Sequence, residues 1–482
     1  MSSAIVERSA IEQLALLRDK KISALELAEE HIHRIEALNP SINALIDFDA
    51  SRVREIARNP LPGPLSGLPV TVKSTVPVGG YRCELGSLLN KGQIARADSV
   101  VVQRLRTAGA VILGVTNNPE FLMAYETDNL LYGRTCNPWN LEYSAGGSSG
   151  GESAAIAACM SAAGLGSDSG GSVRQPAHAT GICALKPTPG RIPGAGHDPA
   201  CVGPFATLGT VGPMARTIPD LKLMFQALAG HDFTDRASAP VAYRTFDAAD
   251  LRRVRIGFFE DDGITPVTAE TRATVHAAAD ALRRDGFDVR PFRPKALELA
   301  RKLWWIFFVR CGGMIVDGLV RGNESKISPT LHGFLDLAHQ EPPLGGDELL
   351  GAWCEMTVIQ AKLLEELKEF PVLISPVCSV PAFKHGEREW QIDGQKVEYL
   401  DAMRYTQWWN LLGAPAAVVP VGNSPEGLPI GVQIMARPYE DELVLEIAAV
   451  IDAAFGYRRP AALDELFRQG NSTIQPLGNA TR

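Results

Sequence analysis

The chain has 482 residues, of which 45% are hydrophobic and 21% are charged, a composition typical of a soluble globular protein. Its 47 basic and 55 acidic residues give a net charge of −8, and no basic segment alternates with aromatic residues, which argues against a nucleic-acid partner. The sequence has no signal-peptide pattern at its start and no run of about 20 apolar residues. We therefore expect a cytoplasmic protein without a membrane span.

The cysteines and histidines do not indicate metal or disulfide chemistry. The 8 cysteines include no C-x-x-C pair, and the 9 histidines form no H-E-x-x-H pattern. His31 and His33 are close in sequence, but their spacing on a predicted helix points the two side chains apart. We expect reduced and mostly buried thiols, no metal and no cofactor.

Residues 1–60 are predicted to form an N-terminal helical layer. Two S-x-x-E capping boxes, which begin at Ser9 and Ser23, each mark the start of a helix. Apolar residues recur at helical spacing after Ser23, and Asn39-Pro40 is expected to end that helix. This layer is predicted to be structural rather than catalytic.

Residues 61–230 form the predicted catalytic core, in which buried strands alternate with helices. Strands are predicted within 67–73 and 110–117, because both runs are short, apolar and rich in valine. A helix is predicted between them, with Asp98 or Ser99 as its N-cap, and another helix is predicted over 152–163. Such alternation predicts an α/β fold whose sheet is covered by helices on both faces.

The rest of the chain divides into a variable part and a second core part. Residues from about 235 to 370 are predicted to be a mainly helical insertion on the substrate side, beginning with a strand at 253–261, a helix and a strand at 287–292. Residues 371–456 are predicted to supply further core strands and a closing helix. Because no clean linker separates these parts, we predict one domain over 1–482. An aromatic cluster in the insertion is predicted to be core; its members are Trp304, Trp305, Phe307 and Phe308.

The segment GSDSGGSVRQPA, residues 166–177, has the features of a nucleophile beside an oxyanion hole. Its two consecutive glycines allow a tight turn and a close approach of the backbone to a ligand. Successive N–H groups would converge in one concavity that binds an oxyanion, from Ser169, Gly170, Gly171 and Ser172. Ser172 would then present its hydroxyl beside this nest. The other interpretation is a plain glycine-rich loop.

The segment GGSSGG, residues 146–151, precedes a predicted helix whose first N–H groups are unpaired. It is interpreted either as a helix cap or as an anion site. Phosphate binding is disfavoured, because the patterns G-x-x-x-x-G-K-[ST] and G-x-G-x-x-G are missing from the sequence. The segment also fits G-x-S-x-G, with Ser148 as nucleophile and His385 as base, although no convincing strand precedes Ser148.

Lys73 is unusual because it ends a predicted buried strand, and strand interiors rarely carry an unpaired charge. A lysine must be neutral to act as a base, and from a reference pKa of about 10.4 neutrality at pH 7 costs roughly 4.6 kcal/mol. Burial and nearby backbone donors lower the pKa and offset that cost. In the alternative interpretation the lysine stem packs in the core while the ammonium group reaches solvent.

Two further interpretations compete with a serine nucleophile. A cysteine nucleophile would be Cys159 or Cys183, but both lie in small apolar surroundings typical of inert buried thiols. A non-catalytic subunit would use the glycine-rich loops as nests for an anion or a nucleotide.

Long segments of the chain resemble the amidase signature family of serine hydrolases, in particular its aryl acylamidases and fatty acid amide hydrolases. The longest is residues 145–192, and the shorter ones are GLPVTVKS, TNNPEF, GRTCNPW, GPMART, YTQWWNLLGAPAAVVPVG and GLPIGVQIMARP, in family order. The likeness covers about 60–230 and 370–455 well and the middle poorly. It implies an α/β fold with a large central mixed β-sheet covered by helices on both faces.

The resemblance also implies a role for each matching residue. Ser172 matches the nucleophile, and Ser148 matches the proton relay that follows a cis peptide bond, here Gly147–Ser148. Lys73 matches the general base, and the oxyanion would rest on the N–H groups of residues 169–172. Three further residues match positions that brace the loop: Ser149, Asp168 and Arg174.

The resemblance places the substrate pocket beside EFLMAY, residues 120–125. Leu122, Met123 and Tyr125 there suggest an apolar or aryl amide substrate. Esters have better leaving groups than amides, so esterase side activity is expected, and carbamate (urethane) hydrolysis is the alternative for the same triad. The implied partners are a small-molecule amide, ester or carbamate and water, and the resemblance is compatible with a homodimer.

Two segments depart from the family pattern. Many members have Asp after the base lysine, whereas this chain has Ser74, which leaves one fewer negative charge beside Lys73. The stretch PTPGRIPGAGH, residues 187–197, is unlike the subunit that amidates misacylated transfer RNA. We therefore predict a standalone amide hydrolase whose kcat/KM rises toward neutral or alkaline pH, and the alternative is an amidotransferase-type subunit.

Overall fold

In the computed structural model, which describes residues 3–200 and 202–473, eleven strands form one mixed sheet and four more form two small hairpins. The strands are β1 (Leu45–Phe48), β2 (Pro69–Lys73), β3 (Val111–Thr116), β4 (Cys136–Asn137), β5 (Asn140–Ser144), β6 (Ala163–Asp168), β7 (Cys183–Lys186), β8 (Thr210–Ala215), β9 (Arg255–Phe258), β10 (Asp288–Pro291), β11 (Val372–Pro376), β12 (Glu389–Ile392), β13 (Gln395–Glu398), β14 (Ala416–Asn423) and β15 (Pro429–Ala436). The order in the large sheet is β1-β3-β2-β6-β8-β7-β14-β15-β11-β9-β10.

Helices cover both faces of this sheet, which confirms the predicted fold class. They are α1 (Ser3–Val6), α2 (Ala10–Arg18), α3 (Ala24–Ile42), α4 (Ala50–Arg58), α5 (Val100–Thr107), α6 (Gly150–Ala157), α7 (Arg174–Thr180), α8 (Phe205–Leu208), α9 (Ile218–Leu228), α10 (Ala248–Arg252), α11 (Ala269–Arg284), α12 (Leu297–Trp304), α13 (Cys311–Val320), α14 (Pro329–Ala338), α15 (Gly346–Glu366), α16 (Tyr399–Ala402), α17 (Arg404–Leu412), α18 (Asp441–Phe455) and α19 (Leu463–Thr473).

Strand β2 lies deep in the sheet and carries Lys73 as its last residue. It pairs in parallel with β3 on one side and β6 on the other, and all of its residues are buried. A parallel strand buried on both faces is expected to be continuously apolar, as PVTV is. The lysine that ends the strand is the exception to this pattern.

The N-terminal layer, residues 1–60, is mainly helical as predicted, but it also contributes strand β1 to the large sheet, and its longest helix ends later than predicted. Both predicted capping boxes are formed, at Ser9 and Ser23. Helix α3, however, runs through Pro40 to Ile42, so Asn39-Pro40 does not end it. Pro40 lies in the last turn, where the missing N–H donor breaks only one backbone bond, and Asn43 in the left-handed conformation (φ 55°) ends the helix.

The predicted helix over 152–163 is shorter and begins earlier. Helix α6 spans Gly150–Ala157, the chain reverses at Cys159 (φ 57°), and residues 163–168 form strand β6. The small apolar residues of this stretch suit both structures, and the pairing of β6 with β2 and β8 decides between them.

The second core part joins the first within the same sheet. Strand β14 pairs antiparallel with β7 and with β15, and β15 pairs antiparallel with β11. Strands β9 and β10 flank helix α11, as the sequence predicts, and continue the sheet in parallel beyond β11. The pocket-forming insertion then begins after β10.

The insertion is built on one long apolar helical stretch, Leu297–Val320, in which a π-helical turn joins α12 to α13. By length and mean hydropathy (1.6) this stretch meets the criteria for a membrane span, although 56% of its most apolar window is buried inside the protein. The sequence expectation overlooked it, because Arg310 and Asp317 interrupt the apolar run. Buried core helices meet the same criteria, and Trp304 and Phe307 are fully buried here.

Candidate active site

The end of strand β2 places the Lys73 ammonium group against two serine hydroxyls in the protein interior. Lys73 is 0% exposed, and its Nζ lies 2.7 Å from Ser148 Oγ and 3.3 Å from Ser167 Oγ. No carboxylate lies within salt-bridge distance of Nζ in the part of the chain that the structure describes. The lysine is therefore held by neutral hydrogen-bonding groups.

This burial determines the protonation state of Lys73. Burial lowers its pKa from the usual 10.5 to about 7, while the more distant charges of Asp168 and Glu152 oppose the shift. An amine with a pKa near 7 is present in its neutral form at physiological pH. The contact to Ser148 therefore joins a hydroxyl to a group able to accept its proton.

Ser148 lies on the loop GGSSGG and follows a cis peptide bond, Gly147–Ser148, as the resemblance implies. The loop has no room for larger residues, because a Cβ at Gly147 would lie 2.5 Å from the backbone nitrogen of Glu126. The Gly147 N–H donates to Gln175 Oε1 at 3.0 Å. These contacts hold the loop in one path and point Ser148 toward Lys73.

The predicted nucleophile loop, residues 166–174, packs directly against the GGSSGG loop that carries the predicted relay Ser148. The Ser149 N–H donates to the Ser172 carbonyl at 3.1 Å, and both Ser148 and Ser172 line one small cavity. Gly171 has a φ of 130°, which favours glycine, and a Cβ there would lie 2.4 Å from Thr406 Oγ1. Ser172 itself is half-buried, so its hydroxyl reaches the cavity.

Two carbonyls of the nucleophile loop accept hydrogen bonds from side chains of other segments. Trp304 Nε1 donates to the Ser169 carbonyl at 3.0 Å, and the Tyr125 hydroxyl donates to the Gly170 carbonyl at 2.8 Å. Within residues 3–200 and 202–473, the N–H groups of Ser169, Gly170 and Ser172 have no protein acceptor. They form a nest suited to an oxyanion.

Gly171 differs from the prediction that four N–H groups share this nest. Its N–H donates to Asp168 Oδ1 at 2.8 Å and is therefore already satisfied. The positive φ of Gly171 turns this one N–H toward Asp168. Three of the four predicted donors therefore remain for a ligand.

Asp168 and Arg174 form a fully buried ion pair that fixes the loop. Arg174 Nη2 lies 2.9 Å from Asp168 Oδ1, and both side chains are 0% exposed. Burial opposes ionisation, but the charge and hydrogen bonds of Arg174 hold the pKa of the Asp168 carboxyl well below its usual range. Arg174 Nη1 also donates to the Thr406 carbonyl at 2.9 Å, which ties the loop to helix α17.

The cavity at the two serines is small, with a volume of about 60 Å³. Leu122 and Met123 line it, as predicted, but Tyr125 does not, because its hydroxyl is turned to the loop backbone. The sequence analysis assigned Phe308 to the core, yet it lines the cavity. The remaining apolar lining comes from Phe121, Pro199 and Ala200.

Two polar residues near Lys73 were missed by the sequence analysis. Ser167 is the second hydroxyl on Lys73 Nζ, and its place one residue before Asp168 on β6 was the only signal for it. Glu152 is fully buried on helix α6, where Thr71 Oγ1 donates to it at 2.5 Å and Thr116 Oγ1 at 2.9 Å. Burial raises the pKa of Glu152 to about 8.

A strand glycine makes the room for Glu152. A Cβ at Gly164 would lie 1.8 Å from Glu152 Oε1. A glycine inside a strand often marks such a close approach of another group. Gly164 in strand β6 was therefore the sequence signal for a close approach, but the sequence did not indicate that Glu152 is the approaching residue.

The other nucleophile candidates lie apart from this arrangement. His385 Nε2 is within 3.2 Å of the Leu141 carbonyl, and strand β5, which precedes Ser148, belongs to a two-stranded hairpin outside the large sheet. Cys159 and Cys183 are fully buried, and burial raises the pKa of Cys183 well above its usual value. These surroundings are those of inert thiols.

The histidine pair behaves as the sequence predicts. His31 is fully buried, with its ring nitrogens 3.1 Å from the Met160 carbonyl and from Gln13 Oε1, while His33 is exposed. Among the described residues, no cluster of three or more His, Cys, Asp or Glu side chains is arranged to hold a metal ion.

Comparison with known proteins identifies relatives of the whole chain. The Amidase family model matches residues 26–445. Acylamidase of Rhodococcus erythropolis is 34% identical over 459 residues, which cover 92% of this chain and 95% of that protein. A glutamyl-tRNA(Gln) amidotransferase subunit of Acidothermus cellulolyticus is 33% identical over 502 residues, which cover 96% of this chain and 97% of that protein.

A solved structure supports the same relationship. The structure of 6-aminohexanoate cyclic dimer hydrolase has a TM-score of 0.84 and 30% sequence identity to this chain. The match covers 95% of this chain and 99% of that one. Sequence and structure comparisons thus agree with the resemblance carried by the sequence segments.

Proposed function

The chain belongs to the amidase family and is an amide-hydrolysing enzyme, and from this premise we propose that hydrolysis proceeds through a covalent acyl-enzyme on Ser172. The observation that carries the proposal is the 2.7 Å contact between the buried Lys73 Nζ and Ser148 Oγ. Ser148 and Ser172 line the same cavity, so the base can reach the nucleophile through one hydroxyl.

In the first half of the reaction Ser172 Oγ attacks the carbonyl carbon of the amide. Its proton passes to Ser148 Oγ while the Ser148 proton passes to Lys73 Nζ. The carbonyl electron pair moves to oxygen, and the resulting oxyanion accepts hydrogen bonds from the free N–H groups of the nucleophile loop. A positioned general base of this kind contributes about 10²- to 10⁴-fold in rate.

In the second half the carbon–nitrogen bond breaks and the acyl-enzyme is cleared. The Lys73 ammonium returns its proton through Ser148 to the leaving nitrogen, which departs as an amine or ammonia. Water then attacks the Ser172 ester and loses a proton along the same path. Collapse of this second intermediate releases the acid and restores Ser172, so that amide and water become acid and amine.

The lining of the cavity supports an apolar or aryl amide as substrate. Leu122, Met123 and Phe308 surround the serines, and none of the described residues that line this cavity is Asp, Glu, Lys or Arg. A charged substrate group would lose hydration there without gaining a partner. Ester hydrolysis is expected as a side activity, because an alkoxide leaves more readily than an amide nitrogen.

A carbamate hydrolase is the alternative for the same triad. Attack of Ser172 on a carbamate forms the same kind of oxyanion, and the cavity lining fits an aryl carbamate as well as an aryl amide. The two are distinguished by the relative kcat/KM for an anilide and for the carbamate of the same aniline.

An amidotransferase-type subunit is a second candidate, because the relative of that name covers 96% of this chain. Free glutamine carries both an ammonium and a carboxylate group, and the described lining of the cavity offers no opposite charge to either. Release of ammonia from glutamine at a rate above the release of the aniline from an anilide would favour this candidate.

The test of the proposal is the intact mass of the protein after brief exposure to an aryl amide and to the matching aryl ester. Wild type should gain the mass of the acyl group transiently. Ser172→Ala should gain none, and Lys73→Ala should gain it much more slowly. An adduct of equal amount in Ser172→Ala would contradict the assignment of the nucleophile.

A further inference from the structure

A second and much larger concavity adjoins the catalytic cavity. This outer groove has a volume of about 1070 Å³, compared with about 60 Å³ for the cavity. The helical insertion supplies most of its floor, and Met123 lines both spaces. The apolar floor of the outer groove is formed by Leu299, Trp305, Ile306, Phe334 and Leu337.

Met123 lines both spaces, and the two residues before it have an unusual backbone conformation. Phe121 and Leu122 both have positive φ values, 47° and 69°, which side chains other than glycine rarely adopt. The Met123 N–H donates to the Glu120 carbonyl at 3.2 Å, which fixes the backbone at this point. The Met123 side chain has three rotatable bonds, so it can move while its backbone stays in place.

Most charged residues around the outer groove form ion pairs, and Lys302 is the charged lining residue without one among the described residues. Arg310 lies 3.0 Å from Glu341, and it also contacts Glu348. Arg301 lies 2.6 Å from Asp401, and Arg388 contacts Glu126. With most of these charges paired, the apolar floor between them favours an uncharged ligand group.

We propose that the outer groove binds the larger half of an extended substrate, an uncharged alkyl or aryl group, and that Met123 is the specificity-determining residue which this group must displace. The smaller half, with the reacting carbonyl, occupies the cavity at Ser148 and Ser172. The inference rests on the proposed function, since it assigns a binding surface to the same reaction. Because Met123 lines both the groove and the cavity, a ligand group in the groove would lie next to the reacting serines. This proximity is why we assign the groove to substrate.

The experiment compares two series of substrates in wild type, Met123→Ala and Met123→Phe. One series is N-acyl-4-nitroanilides from acetyl to decanoyl, and the other is acetamides of aniline, benzylamine and 4-phenylbutylamine. The readout is the ratio of kcat/KM for the longest member to that for the shortest. In at least one series Met123→Ala should raise this ratio about tenfold, and Met123→Phe should lower it about tenfold, which is within the range for adding or removing a few methylenes of contact.

A variant of the groove floor and a matched control accompany the two Met123 variants. Trp305→Ser removes part of the floor and should lower the same ratio about tenfold through a higher KM for the long substrate. Met314→Ala makes the same chemical change as Met123→Ala at a site that is 53% exposed and outside both spaces. Met314→Ala should therefore keep the wild-type ratio.

The outcomes separate this inference from the function on which it rests. An acyl adduct in wild type with unchanged ratios in both Met123 variants and in Trp305→Ser would overturn the groove proposal alone. Equal shifts in Met314→Ala would also overturn it, because they would show a general effect of losing a methionine. No adduct with any member of either series would overturn the proposed function and the groove proposal together.

Discussion

The catalytic loops, residues 146–151 and 166–174, are fixed by backbone hydrogen bonds and a fully buried ion pair, whereas the helical insertion, residues 297–366, reaches the site with only a few side chains. In the loops, glycines sit where any Cβ would collide with backbone or with side chains packed against the loops, among them Thr406 and Trp304. In the insertion, large apolar groups face solvent, such as Leu350, which is 65% exposed. The two regions meet where Trp304 Nε1 donates to the Ser169 carbonyl.

This difference separates the chemistry of the enzyme from its selection of substrates. In the proposed mechanism the loops provide the nucleophile, the relay and the oxyanion donors through a backbone path that tolerates little change. The insertion contributes Phe308 to the cavity and supplies the apolar floor of the outer groove through side chains. Substitutions in and beside the loops should therefore reduce rate or stability strongly, while those in the insertion should have small effects on the chemical step.

The largest effect is expected at Lys73, and a second buried lysine supplies its control. Lys186 is also fully buried, its pKa is also lowered to about 7, and its Nζ donates to the Pro187 carbonyl at 3.1 Å. Lys73→Met should lower kcat by about 10³-fold, because it removes the general base. Lys186→Met should keep kcat within about tenfold, because Lys186 does not line the cavity. Equal losses in single-turnover hydrolysis would show that burial of a lysine, and not its role as base, sets the rate.

The next largest effect is expected at Arg174, measured as free energy of unfolding in urea. Arg174→Met leaves the Asp168 carboxylate buried without its partner and should destabilise the protein by about 3–5 kcal/mol. The control in the insertion is Arg310→Met, because its partners Glu348 and Glu341 are 46% and 55% exposed. Those carboxylates remain hydrated, so a change of only about 0–1 kcal/mol is expected. A loss of similar size in both variants would break the contrast between the two regions.

The pH dependence of kcat/KM should be set by Lys73, beside the loops, and not by groups in the insertion. The pKa of Lys73 is lowered to about 7, and the neutral amine is the active form, so kcat/KM for an uncharged anilide should rise about tenfold per unit below pH 7 and level off above it. Measurement between pH 5 and 9 checks this directly. A maximum at pH 4–5 would contradict the role of Lys73 as base.

The sequence predicted the loops well because their requirements are local. Glycines at positive φ, small residues and hydroxyls must stand at set positions in the chain for the backbone to follow this path, so the pattern is visible in the sequence. The cis bond at Gly147–Ser148 and the contact of Lys73 with Ser148, 75 positions away, agree with what the family resemblance implied and were not visible in the local pattern. Only Gly171 N–H, which bonds to Asp168, departs from it.

The insertion could not be predicted in the same way, because its role depends on contacts between distant residues. Trp304 and Ser169 are separated by 135 positions, and nothing in the local pattern of either segment indicates that they meet. Phe308 shows the same limit, since an aromatic residue one helical turn away from Trp304 is suited equally to core and to pocket. Its stacking on Trp304, with ring centroids 4.6 Å apart, places it at the edge between the two.

A smaller effect is expected at Trp304, the point where the insertion supports the loop. Trp304→Phe keeps an aromatic ring but leaves the Ser169 carbonyl without its donor, which should destabilise the protein by about 1–3 kcal/mol. We expect about 0.7–1.4 kcal/mol of this loss to act on the transition state and to lower kcat roughly three- to tenfold. Trp409→Phe is the matched control, because Trp409 is also fully buried but its Nε1 has no hydrogen-bond partner among the described residues. Trp409→Phe should leave kcat within twofold of wild type, at about 0.4 kcal/mol or less. Equal rates in the two variants would mean that the insertion does not support the nucleophile loop.

The smallest effect is expected from Glu152→Gln, even though this buried carboxyl lies beside the catalytic loops and near Lys73. Burial raises the pKa of Glu152 to about 8, which favours the uncharged carboxyl at neutral pH. Glu152→Gln keeps the shape and the uncharged state, and the midpoint of the acid limb of kcat/KM should stay within about 0.3 pH units, or about 0.4 kcal/mol.

The sign of any larger shift identifies the charge on Glu152. A carboxylate near Lys73 favours the protonated amine, so if Glu152 were ionised at pH 7 its removal would move the midpoint to lower pH. The charge of Asp168 also raises the pKa of Lys73, and the charge of Lys73 lowers the pKa of His197. Both residues are unchanged in this variant. Glu152→Ala is the contrasting variant, because it leaves the hydroxyls of Thr71 and Thr116 without an acceptor and should destabilise the protein by about 1–3 kcal/mol for each. If the midpoint is unshifted in Glu152→Gln and stability is lost in Glu152→Ala, the role of Glu152 is to hold strands β2 and β3 against helix α6. Lys73 then remains the group whose titration sets the rate.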